Sequence, residues 1–268
     1  MSSTYLYGSN VQANGIRQHY LRYGGAGQPL IVIPGITSPA ITWGFVAERL
    51  GQQFDTYVLD VRGRGLSSTG PDLAYDIDTC ADDIIAFAET LGLENYVLVG
   101  HSMGARFGIR ACTRGAKGLA KLVLVDPPMS GPGRREYPSK LPWYVDSIRD
   151  ATAGCDADHM RNYCPTWTEE QLQLRAEWLH TCYSDAIVTA FNDFHEDDIH
   201  SELPHIKVPT LLMVAGKGGV ILAKDQAEML ELMPSLRISH VANAGHMIPW
   251  DDYEGFFKGF EDFLGASV

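Results

Sequence analysis

Tyr96-Val97-Leu98-Val99-Gly100-His101-Ser102-Met103-Gly104-Ala105 decides the fold. An apolar run passes straight into a Gly-x-Ser-x-Gly pentapeptide, and a helix-compatible segment follows over residues 103–114. A short apolar run bounded by glycine reads as a buried parallel strand. A serine on the turn from such a strand into a helix has its hydroxyl held clear of the sheet. Glycines flank it because side chains there would collide. The helix also presents its positive end to whatever sits beside the serine. The pentapeptide alone is a weak signal. Its place between strand and helix makes Ser102 a candidate nucleophile rather than the serine of a plain tight turn.

Outward from this point, strands and helices alternate. Before it come a hairpin over 5–11 and 16–22 about Ala13-Asn14-Gly15, and a short strand at 30–33 ending in Pro34-Gly35. A helix containing Trp43, Phe45, Val46 and Leu50 follows, then a strand at 54–60 and a helix over 77–91 with Asp76 as its N-cap. After it come a strand at 121–125 ending in Asp126-Pro127-Pro128, then a stretch with helical patterns and no buried strand. Alternation resumes with strands at 209–215 and 236–241 and helices at 223–233 and 253–264. The expectation is an α/β protein: a mostly parallel sheet, helices on both faces, and an inserted helical lid. The core would comprise residues 1–128 and 205–268, the lid residues 129–204.

Composition narrows the function classes. The chain has 268 residues, of which 45% are hydrophobic, enough for one large core. A formal net charge of -12 and the lack of a basic stripe argue against nucleic acid. The same acidity gives an anionic substrate no long-range steering, so it would need local donors. Five cysteines, odd in number and without a C-x-x-C pair, read as reduced thiols. With no leader-like N-terminus and no membrane-length apolar run, a cytoplasmic location is expected.

Acyl transfer by serine needs a base, a carboxylate to orient it, and donors for the oxyanion. His246, in Asn243-Ala244-Gly245-His246-Met247 beyond the last strand, stands where the chain order Ser, acid, His would put the base. The usual place for the acid follows the strand at 209–215, but Gly216-Lys217-Gly218-Gly219 has no carboxylate. Asp126, at the edge where ligand sites of open parallel sheets gather, is favoured over Asp225, which falls on a helix. Pro127 biases Asp126 towards an extended backbone. The backbone N–H groups of Met103 and Ile36 are the expected oxyanion donors, with Thr37 or Ser38 as alternatives to Ile36. Pro34 gives this loop no polar side chain to anchor it.

Other signals take plainer readings. His195-Glu196-Asp197-Asp198-Ile199-His200 has one residue too many for a zinc H-E-x-x-H, and no metal site is expected. Arg62-Gly63-Arg64-Gly65 reads as a structural turn. Trp143, Trp167 and Trp178 read mainly as packing. Arg134, Arg135, Arg161 and Arg175 read as solvated lid charges, one of them a candidate clamp for a carboxylate.

Pro34-Gly35, residues 60–67, Gly100 to Gly104 and Gly245-His246 resemble the α/β-hydrolase superfamily, from about residue 15 to the end. Longer stretches are similar to the N-formylmaleamate deformylases of nicotinate breakdown: residues 36–43, 124–128, 141–147, 176–182 and 244–250. That resemblance implies a triad of Ser102, Asp126 and His246, a small anionic substrate with Ser38 and Trp143 among its contacts, and no cofactor. It also leaves two competitors. One is an esterase, lactonase or carbon–carbon hydrolase acting on another small carboxylated compound. The other is a non-catalytic ligand receptor on the same fold.

Overall fold

Asn14 and Gly15 both take positive φ (46° and 74°), the backbone that a two-residue hairpin needs. They join β1 (Tyr5–Ala13) to β2 (Ile16–Tyr23), which pair antiparallel. The computed structural model describes residues 3–266. The chain continues through β3 (Gln28–Ile33), α1 (Gly44–Leu50), β4 (Phe54–Leu59), α2 (Ile77–Thr90), β5 (Tyr96–His101), α3 (Met103–Thr113) and β6 (Leu119–Val125). Helices α4 (Leu141–Thr152), α5 (Ala157–Met160), α6 (Glu169–Trp178) and α7 (Ser184–Glu196) come next, with no strand among them. The fold closes with β7 (Thr210–Ala215), α8 (Ala223–Leu232), β8 (Arg237–Val241), α9 (Ile248–Asp251) and α10 (Tyr253–Leu264).

The eight strands make one sheet in the order β1-β2-β4-β3-β5-β6-β7-β8. Pairing is parallel from β4 onward through β3 to β8. Strand alternation divides the apolar runs between two layers. Leu30, Val32, Val97, Val99, Val123 and Val125 face Trp43, Val46 and the phenylalanines of α10. Ile31, Ile33, Leu98, Leu122 and Leu124 face the layer of α2 and α3. Both faces are covered, which is why these strands read as unbroken apolar runs rather than alternating ones. Each such side chain fully buried contributes about 1.5–3 kcal/mol.

Most expected elements are present with ends shifted by a few residues. Trp43 is an exception: it closes a 3₁₀ turn, Ala40–Trp43, ahead of α1. Pro39 sets that tighter turn, its carbonyl accepting from both the N–H and the hydroxyl of Thr42 at 3.0 and 2.7 Å. Asp76 caps α2 as expected, accepting from Thr79 N–H at 2.9 Å. Among the described residues no helix is long and apolar enough to cross a membrane.

Candidate active site

At the C-terminal end of β5 the chain turns on Ser102 with φ 52° and ψ −117°, a backbone that L-residues seldom adopt. Two glycines allow it. A Cβ on Gly104 would lie 2.1 Å from the Ile33 carbonyl oxygen, and one on Gly100 would lie 2.3 Å from that of Gly104. Ser102 N–H donates to Val125 O at 2.8 Å, tying the turn to the neighbouring strand. Met103 opens α3, so its N–H has no partner within the helix and stays free for a ligand oxygen.

His246 lies in the loop between β8 and α9. Its Nε2 is 3.0 Å from Ser102 Oγ and its Nδ1 is 2.7 Å from Asp126 Oδ2. In the neutral tautomer this network selects, Nδ1–H donates to the carboxylate and Nε2 accepts from the serine hydroxyl. Asp126 follows β6 and is 1% exposed. Its backbone differs from the expected extended form: φ is 46°. The turn lets Asp126 N–H donate to Met213 O at 2.9 Å while Oδ1 accepts from Ala215 N–H at 3.4 Å. Both contacts hold the carboxylate across the end of β7. Asp225, the other candidate, instead accepts from Leu222 N–H at 2.8 Å at the start of α8 and from Arg135 at 3.1 Å.

His101, next to Ser102, is buried, and burial lowers its pKa to about 3. It is therefore neutral, and Nε2–H donates to the carbonyl of His246 at 3.0 Å, fixing the loop that carries the candidate base. Arg64 takes the anchoring place that Pro34 leaves empty. Fully buried, it donates through Nε to Ile36 O at 3.1 Å and through Nη1 to Arg62 O at 2.9 Å. Its Nη2 reaches Met103 Sδ at 3.3 Å and Ala186 O on α7 at 3.2 Å. One guanidinium thus holds both expected oxyanion residues and a helix from the 129–204 segment.

A cavity of about 450 Å³ opens over the serine. Ile36, Ser38, Ser102, Trp143, Arg175 and His246 are among the residues that line it. The turn after β7 lines it too, from Lys217 to Val220. Tyr137, which no sequence pattern marked, places its hydroxyl 3.3 Å from His246 Nε2 and accepts from Tyr144 at 3.4 Å. Burial first, then the neighbouring Tyr144, raises its pKa well above the ordinary phenol value. Of the four arginines read as solvated, three are paired near the surface. Arg134 meets Glu228 at 2.7 Å, Arg135 meets Asp225 at 3.1 Å, and Arg161 meets Glu169 at 2.5 Å. Arg175 is the correction: it is only 3% exposed.

No spacing marks Arg64, Tyr137 or Arg175 in the sequence, since each acquires its surroundings only through tertiary packing. The described residues contain no group of three or more His, Cys, Asp or Glu side chains placed to hold a metal ion.

A nucleophile turn, a histidine and a carboxylate at the C-terminal edge of a mostly parallel sheet define a class of hydrolytic protein. The chain belongs to the alpha/beta hydrolase family, whose profile matches residues 30–258. Within it the chain is 71% identical to the N-formylmaleamate deformylase of Pseudomonas putida over 262 residues, 98% of each chain. The crystal structure of an N-formylmaleamic acid deformylase from Pseudomonas putida superposes with a TM-score of 0.92 at 56% identity, covering 94% of this chain and 99% of the other. An esterase from Exiguobacterium antarcticum shares the fold at 22% identity with a TM-score of 0.81, covering 97% of this chain and all of its own.

Proposed function

We propose that this protein hydrolyses N-formylmaleamate to maleamate and formate, a step of nicotinate breakdown, with Ser102 as nucleophile. The observation that carries the reading is 71% identity to a deformylase across 98% of both chains. The distances of 3.0 Å from serine to histidine and 2.7 Å from histidine to Asp126 support it.

His246 Nε2 takes the hydroxyl proton as Ser102 Oγ attacks the formyl carbon. The Ile36 and Met103 N–H groups receive the oxyanion, an interaction whose loss from one donor costs about 10²–10³ in turnover. Asp126 holds the imidazole in the tautomer that accepts at Nε2 and stabilises the imidazolium. As the C–N bond breaks, the imidazolium returns its proton to the departing nitrogen. That nitrogen lies between two carbonyls, so it leaves more readily than an ordinary amide nitrogen. Water, deprotonated by His246, then attacks the formyl ester, and formate departs as Ser102 recovers its proton. Residues 129–204 act as a lid over a core of 1–128 and 205–268. Ser38 and Trp143 contact the substrate. No step requires a metal or organic cofactor. Five free cysteines suit a reducing compartment, in keeping with a cytoplasmic enzyme.

The test is direct. Purified protein should release formate and maleamate in equal amounts, undiminished by a chelator, and a serine-directed phosphonate should label Ser102. Ester turnover without formate release from N-formylmaleamate would favour the esterase reading. Absence of labelling would favour a ligand receptor.

A further inference from the structure

Arg175 on α6 lines the cavity over Ser102 and is almost wholly buried. Its partners are both on Thr37: Nη1 donates to the carbonyl at 3.3 Å and Nη2 to the hydroxyl at 3.2 Å. Its Nε is buried with no acceptor. Its charge lies between two aromatic faces, 5.5 Å from the Trp143 ring and 5.6 Å from the Trp167 ring. Aromatic faces and a carbonyl offset part of the cost of burying a cation but leave it without a counter-charge. Other buried arginines of this protein either meet a carboxylate, as Arg62 meets Asp83 at 2.5 Å, or spend their donors on three or more groups that join separate segments, as Arg64 and Arg106 do. Arg175 differs in having hydrogen bonds to Thr37 alone while facing the cavity over Ser102.

We infer that Arg175, with the Thr37 hydroxyl beside it, is the subsite for the carboxylate of the substrate. The inference rests on the hydrolase reading above and specifies what the cavity selects: a short acyl compound carrying a carboxylate at its far end. Thr37 directly follows Ile36, so the arginine that binds the anion also touches the loop bearing an oxyanion donor. The Trp143 and Trp167 rings hold the guanidinium plane, and the ligand supplies the missing charge. In a chain of net charge -12, this local donor answers the lack of overall attraction for an anion.

Arg175→Met and Arg175→Lys are compared with the parent protein on N-formylmaleamate and on its neutral methyl ester. Expected is a fall of about 10²-fold in the ratio of kcat/KM for the anion to that for the ester in Arg175→Met. The fall should come mainly through KM and be partly restored in Arg175→Lys. A second readout is independent of turnover. Maleamate should raise the Tm of the Ser102→Ala protein, and adding Arg175→Met should abolish the shift. An unchanged ratio together with an unchanged maleamate shift would overturn the subsite. A parent protein inactive on N-formylmaleamate but stabilised by maleamate through Arg175 would sink the deformylase reading and leave the subsite standing.

Discussion

Ser102 and Asp126 directly follow neighbouring strands, and both hold positive φ without being glycine. Such backbones cost about 1–3 kcal/mol each and persist only where the surroundings over-determine them. Here the over-determination is visible in Ser102 N–H on Val125 O and Asp126 N–H on Met213 O. Replacing Ser102 with glycine should therefore give a protein more stable than Ser102→Ala by about 1 kcal/mol, read by denaturant unfolding, while neither turns over. Asp126→Asn should lower turnover by about 10⁴ through the wrong histidine tautomer. Asp225→Asn should act mainly on α8, lowering stability by about 1 kcal/mol with little effect on kcat. The reverse order would reassign the orienting acid. At this scale the meeting of Ser102 with His246 was legible because each sits in a glycine-bearing loop at a strand end. The contact of Asp126 with His246 was legible because Gly216 to Gly219 lacks a carboxylate and Asp126 lies at the strand-end edge of the sheet. Arg64, Tyr137 and Arg175 were not legible, because nothing near them in sequence distinguishes a buried, directed side chain from a solvated one.

At the scale of elements, α3 and α7 meet through Arg106. It is buried and donates to Pro128 O, Ser130 O, Asp193 O and Asp197 O, and it reaches no carboxylate oxygen at these positions. The Asp193 side chain beside it pays for that arrangement: burial first, then the nearby Asp197, raises its pKa to about 6, and its Oδ2 is buried without a partner. A folded-state pKa above the unfolded value of about 4 contributes stability that is fully present below pH ~4 and lost as pH rises through about 6. Asp193→Asn should thus raise the unfolding free energy by roughly 1 kcal/mol at pH 8, and the advantage should vanish near pH 4. An advantage equal at both values would assign it to packing instead. Helix α2 was legible from its 3.6-residue apolar period, and α3 from its place after the Gly-x-Ser-x-Gly turn. The four-residue helices α5 and α9 were not, since one turn carries no period.

Over the whole molecule, the sheet has both faces covered, and three of the five thiols, Cys80, Cys164 and Cys182, are buried. Cys80 and Cys182 are buried, and burial holds the Cys182 thiol up at about 12 and Cys80 higher still. Neither is a thiolate at neutral pH, so neither reacts while the fold persists. Their labelling by a disulfide reagent should proceed at the rate of global unfolding, and a reductant should leave the Tm unchanged. Fast labelling of either in native buffer would contradict the packing. The architecture was legible in the alternation of apolar runs with helical periods. The cavity was not, because its walls come from the turn after β7, α4 and α6, far apart in the chain.

Because the carboxylate that meets His246 comes from the end of β6, the glycine turn after β7 has no imidazole to orient. It remains as wall, and a wall can be rebuilt. Variation between Lys217 and Val220 can therefore reshape the cavity without disturbing the contacts of Ser102, His246 and Asp126, so the form of the pocket and the geometry beneath it can change independently.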